Sequence, residues 1–167
     1  MTLQKTIDRS VMPSHTYPLS SIAKLHVTLV DAIKGYDTMT EKAEPDLRLA
    51  IQPFATIHRR HAAELAALLK DNGLSPDNDG SMMGLVHETV VSVRALFGDL
   101  DTDALPSVIR GEEAILADYQ EALADVSAHH LEEHTTFKAP VADRLNNQVE
   151  ELQALVQQAR LRVPAES

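Results

Sequence analysis

Residues 45–73, PDLRLAIQPFATIHRRHAAELAALLKDNG, decide the fold. Leu47, Ile51, Phe54, His61, Leu65 and Leu68 fall at spacings of three, four and seven, which puts them on one face of a helix. Glu44-Pro45-Asp46 marks the start, because a proline in the first turn gives up an N–H that has no intrahelical acceptor. Asn72-Gly73 marks the stop, since glycine readily takes the left-handed conformation that closes a helix. Pro53 lies inside and predicts a kink.

The same reading extends in both directions. A first helix is expected over about 20–43, capped by Ser20 or Ser21, with Ile22, Leu25, Leu29, Ile33, Tyr36 and Met39 inward. After the loop Leu74-Ser75-Pro76-Asp77-Asn78-Asp79-Gly80, Ser81 opens a short third helix whose stripe is Met83, Val86, Val90, Val93 and Phe97. Asp101 or Asp103 caps a fourth, with Leu105, Ile109, Glu112, Leu116, Tyr119 and Leu123 inward to about Val126. The remaining chain predicts a fifth helix broken at Pro140, with Leu145, Val149, Leu152 and Leu155 as its spine. The expected organisation is an irregular arm over 1–19, a four-helix bundle over 20–127, and a helical extension over 128–167 that packs on the bundle or on a partner subunit. Short connections favour an antiparallel, up-down-up-down order.

Composition agrees with an all-α chain and narrows what it can do. The 167 residues are 44% hydrophobic and 24% charged, enough for one domain with its own core. With no Cys there is no disulfide, thiolate metal site or cysteine nucleophile. A formal charge of −10 repels phosphate backbones and anionic headgroups, so neither nucleic acid nor membrane is expected as a partner. The first residues carry no signal-peptide pattern, which makes the cytoplasm the expected location. Dinucleotide fingerprints, Walker sequences and nucleophile elbows are all absent, and no catalytic residue is assigned.

Several phrases then stand out in order: Gly35-Tyr36, Ala63-Glu64-Leu65, Gly80-Ser81, Leu85-Val86-His87, and Arg110-Gly111-Glu112-Glu113 followed by Tyr119. Together, over roughly residues 20–127, they make the chain resemble an uncharacterised bacterial family of ferritin-like four-helix-bundle proteins, a domain of unknown function. The resemblance implies the bundle fold and a structural or interaction module, with stress physiology as its setting. The chain departs from that pattern at His58 and His61, where arginine and an aromatic residue are more usual.

A ferritin-like di-iron centre needs a Glu from each of two helices and Glu-x-x-His from each of the other two. No Glu-x-x-His occurs here. Register arithmetic for an antiparallel bundle instead places His26, His61 or Glu64, His87 and Glu112 in one layer. Imidazoles and carboxylates together suit one iron, manganese or zinc ion, so His61, Glu64, His87 and Glu112 are the candidate ligands of a metal-binding protein or metal-dependent oxidoreductase. His58, His61 and Glu64 recur at i, i+3, i+6 and are read as sharing a face. The alternative is a buried Glu-His or Glu-Arg pair that fixes helix register and binds nothing, with no cofactor required. Gly35 and Gly111, inside helices, are read as sites of close approach by another backbone or a bulky side chain. Tyr36 and Tyr119 could hydrogen-bond the buried polar layer and are read first as amphipathic core aromatics. His129, His130 and His134 with Glu132 and Glu133 form a solvated cluster that could chelate adventitious metal. Glu150-Glu151 beside Leu152 and Leu155 gives the last helix a face for the bundle or for a homodimer.

Overall fold

A computed structural model describes residues 17–77, 101–128 and 135–163. Among them the secondary structure is helical throughout: α1 is Tyr17–Lys42, α2 is Pro45–Asp71, α3 is Leu105–Ala128 and α4 is Thr135–Arg160. The expected third helix, with His87, and the cluster from His129 to His134 lie outside the described residues.

Each helix follows from its sequence, with a few corrections. α1 begins at Tyr17, ahead of the serines expected to cap it. Ser21 instead bonds across the bundle to Asp125. α2 starts at Pro45 as expected, and Glu44 occupies the cap position without a side-chain bond. Its end is a Schellman closure: Gly73 takes φ 78°, its N–H reaches the Lys70 carbonyl at 3.0 Å, and the Leu74 N–H reaches Leu69 at 2.9 Å. Asp101 caps a single 3₁₀ turn, Thr102–Ala104, by accepting from the Asp103 N–H at 2.9 Å, and α3 follows directly. Leu116 and Leu123 are only half-buried, while Ile115 and Ala122 take the inward places beside them. The break expected at Pro140 does not occur, and α4 runs through it. Pro140 is the sixth residue of α4, so its missing N–H costs one hydrogen bond in the second turn of the helix.

The four described helices pack as an antiparallel bundle. α1 and α2 form one hairpin and α3 and α4 the other, with α1 beside α3 and α2 beside α4. Cross-bundle pairs set the directions. Ser21 with Asp125, Lys24 with Glu121 at 2.8 Å, and Thr28 with Asp118 at 3.0 Å show α1 and α3 antiparallel. His61 with Glu151 and Glu64 with Gln148 show the same for α2 and α4. It follows that α2 and α3, the diagonal pair, run in the same direction. The core these stripes enclose includes Ile22, Leu29, Leu47, Ile51, Phe54, Leu65, Leu105, Leu145 and Leu152, all essentially inaccessible. No helix among the described residues is long and apolar enough to cross a membrane.

Neither helical glycine accommodates a close neighbour. A Cβ built at Gly35 or Gly111 meets no described residue within 4 Å. The two glycines continue the α1/α3 register set by Ser21–Asp125 and Thr28–Asp118, so they stand level with each other. Among the described residues, therefore, the expected close approach does not occur.

Candidate functional site: a polar layer inside the bundle

Five ionisable or amide side chains of the described helices are buried to within 2% of full: His26, which stands apart, and His58, His61, Glu112 and Gln148, which lie together. Burying such groups is costly unless each finds a partner, so their pairing defines the site. The four that lie together fall into two clusters on successive turns of α2.

The first cluster is closed. Glu112, from α3, accepts from the Tyr36 hydroxyl of α1 and from His58 Nε2 of α2, the latter at 2.9 and 3.1 Å to its two oxygens. Tyr36 also stacks on His58, with ring centres 5.8 Å apart, and on Phe54 at 6.1 Å. Its role is thus both packing and hydrogen bonding, because the phenol presents an apolar face and a polar tip. The other ring nitrogen of His58, Nδ1, meets no hydrogen-bond partner among the described residues. Burial, then the Glu112 charge, pushes the Tyr36 hydroxyl well above the usual tyrosine range.

The second cluster leads outward. His61 Nε2 donates to Glu151 of α4 at 2.9 Å, which leaves Nδ1 to accept from the Tyr119 hydroxyl of α3 at 2.8 Å. The two rings meet edge to face. Glu151 is 43% exposed, and the same oxygen takes Arg60 Nη2 at 2.5 Å. Arg60 and His61 together hold the Glu151 carboxyl below its usual range. Burial lowers the His61 pKa, with the neighbouring Arg60 charge adding to it and the Glu151 bond opposing. Burial likewise raises the Tyr119 hydroxyl, with the charges of Glu112, Glu64 and Glu151 adding to it. One turn further on, Glu64 accepts from Gln148 Nε2 at 2.8 Å.

His58, His61 and Glu64 therefore do not converge. Three residues of helix fall about 60° short of a full turn, so an i, i+3, i+6 series winds round the helix. His58 looks to α3 and α1, His61 to α3 and α4, and Glu64 to α4 and solvent. His26 is buried but lies ten residues from Tyr36 on α1, about 15 Å along the axis, where burial lowers its pKa and the charge of Asp77 opposes this. Among the candidate ligands, Glu112 and His61 sit in adjacent clusters, Glu64 lies at the rim, and His87 is outside the described residues. No three His, Asp or Glu side chains among the described residues are grouped to hold a metal ion as they stand.

Two members of the layer were missed by sequence reasoning. Gln148 and Glu151 come from α4, where the apolar pattern makes Val149 the expected inward position between Leu145 and Leu152. The buried positions are Leu145, Gln148 and Leu152, an i, i+3, i+7 stripe that a reading by residue polarity passes over.

Comparison with known proteins bears on fold and family. No curated protein matches the chain. The fold is similar to a crystal structure of a conserved hypothetical protein, rv2844, from Mycobacterium tuberculosis, with a TM-score of 0.65 and 11% identity, over 89% of this chain and 98% of that one. A family model described as a domain of unknown function (DUF2383) matches residues 18–125, and the chain belongs to that family.

Proposed function

We propose that this protein is a ferritin-like helical module of structural or interaction function in which a hydrogen-bond network stands where related bundles hold metal. Two antiparallel hairpins with α2 parallel to α3 match the helix order of bundles that have one long connection between their halves, as ferritin-like folds do. The polar positions follow a similar plan: one residue from each of two helices, Tyr36 and Glu112, and an i, i+3 pair from each of the others, His58 with His61 and the buried Gln148 with the exposed Glu151, which reaches in to His61. The chemistry differs at nearly every place. A di-iron centre draws four carboxylates and two imidazoles to two cations, whereas here tyrosine, imidazole and amide groups donate hydrogen bonds to the carboxylates.

The observation that carries the reading is Glu112, both of whose oxygens are occupied by Tyr36 and His58 in a site closed to solvent. Such a network fixes helix register and is retained for the specificity of the fold. The interaction surface we assign to the exposed face of α4, with a second copy of the chain as its first candidate occupant.

The competing reading is a non-standard site for one iron, manganese or zinc ion drawing on His61, Glu64, His87 and Glu112. It is favoured by His58 Nδ1, a ring nitrogen near a carboxylate that meets no hydrogen-bond partner among the described residues. Elemental analysis of untagged protein purified without chelators separates the two. The network reading predicts well under one equivalent of metal per folded chain. About one equivalent, lost on Glu112→Gln, establishes the ion instead.

A further inference from the structure

The turn that ends α2 carries chemistry that the polar layer does not use. Asn72-Gly73 follows the last helical residue, and both residues are exposed. An asparagine before glycine is the pair most open to loss of the side-chain amide, because no Cβ on the second residue shields its backbone nitrogen. In that reaction the Gly73 nitrogen attacks the side-chain carbonyl carbon of Asn72. A C–N bond forms as the bond to Nδ2 breaks, and Nδ2 leaves as ammonia with the proton given up by the Gly73 nitrogen. Water then opens the five-membered ring and leaves aspartate or isoaspartate in place of Asn72.

The folded turn holds both reacting groups away from that path. Asn72 Nδ2 donates to the Leu68 carbonyl at 2.8 Å, and the Gly73 N–H donates to the Lys70 carbonyl at 3.0 Å. Ring closure needs the Gly73 nitrogen eclipsed with the Asn72 Cβ about the Cα–C bond. At ψ 16° it is nearly eclipsed with the backbone nitrogen of Asn72 instead. Rotating it into place breaks the hydrogen bonds of Gly73 and Leu74 and draws Leu74 off the core on which it packs.

We propose that Asn72 is a deamidation site gated by the end of α2: it reacts when the closing turn opens, and the product keeps that turn from closing as before. Aspartate has no N–H for the Leu68 carbonyl and adds charge at the negative end of the helix dipole, next to Asp71. Isoaspartate also lengthens the main chain by a methylene ahead of Gly73, which moves the left-handed residue and Leu74 out of register. A transient opening is thereby converted into a lasting one.

The test is mass spectrometry of the full chain after incubation in warm, mildly alkaline buffer, with fragmentation locating the gained mass at Asn72. The folded chain is expected to react about tenfold or more slowly than the same chain in guanidinium chloride. Leu74→Ala leaves the reacting pair intact, loosens the turn and speeds the folded reaction several-fold. Should that variant fail to fold, guanidinium chloride below the global unfolding transition loosens the turn in its place, with the same acceleration expected. Asn72→Asp lowers the urea midpoint. Equal rates in the folded and unfolded chain, no reaction at Asn72 in guanidinium chloride, no acceleration when the turn is loosened, or an unchanged midpoint in Asn72→Asp would each overturn the proposal.

Discussion

His58 and His61 are the same residue type, on the same helix, one turn apart, and both are fully buried. They nevertheless live in different surroundings. His58 closes a cluster with Glu112 and Tyr36 that has no path to solvent, whereas His61 begins a chain of hydrogen bonds through Glu151 to the exposed Arg60. The cause is the winding of a three-residue step round a helix, which turns one ring toward α1 and α3 and the next toward α3 and α4. Identity of side chain and of burial thus leaves the electrostatic role undecided, and the neighbouring helix decides it.

The contrast can be broken most forcefully at the closed cluster. Glu112→Gln removes an acceptor that Tyr36 and His58 both use, and is expected to destabilise the fold by about 1–3 kcal/mol in urea unfolding. A change below the error of that measurement would mean that the cluster contributes nothing to the fold.

Acid sharpens the comparison next. The His26 and His61 pKa values lie below the ordinary histidine range, chiefly through burial. The unfolded chain therefore binds these protons more readily than the folded one, so unfolding takes up protons, and the stability these groups contribute is lost as pH falls below about 6.5. Glu151, held low by Arg60 and His61, acts in the same sense only at more acid pH, near and below the carboxylate range. Urea midpoints measured from about pH 7.5 to 5 should fall, and His61→Leu should flatten part of that slope. A midpoint that rises toward acid would contradict the assignment of His61 as a neutral ring.

Two smaller effects bear on the seams. Gly35→Ala and Gly111→Ala add a methyl into open space and remove a flexible residue from a helix, so each should stabilise by about 0.5–1 kcal/mol. Thermal melts showing a loss would mean that something outside the described residues fills that space. At the outer end of the second cluster, Arg60→Ala breaks a half-exposed pair and should cost under about 1 kcal/mol, well below Glu112→Gln. Equal costs would erase the distinction between the two clusters.

Much of this was legible in the chain. The stripe Leu47, Ile51, Phe54, His61, Leu65 located α2, and Glu112 among Leu105, Ile109 and Tyr119 marked a carboxylate on a buried face. Periodicity reports such things because burial is decided locally, by the turn of one helix. The partners were not legible. That Glu112 meets His58 and Tyr36, and that His61 meets Glu151, depends on which helices are neighbours and on their relative heights, to within a single turn. The helix directions set by α2 and α3 running together carry that information, and no single helix contains it. Pro140 shows the same limit in miniature, since α4 runs through it as α2 runs through Pro53, and the residue type alone does not say where a helix ends.

The central claim is that Glu112 and His58 are energetically coupled as a protein pair rather than through an ion. A double-mutant cycle on Glu112→Gln and His58→Leu, read by urea unfolding with and without EDTA, tests it directly. The predicted result is a coupling of about 1–3 kcal/mol that is the same in both buffers. Additive effects of the two substitutions, or a coupling that disappears in EDTA, would contradict it.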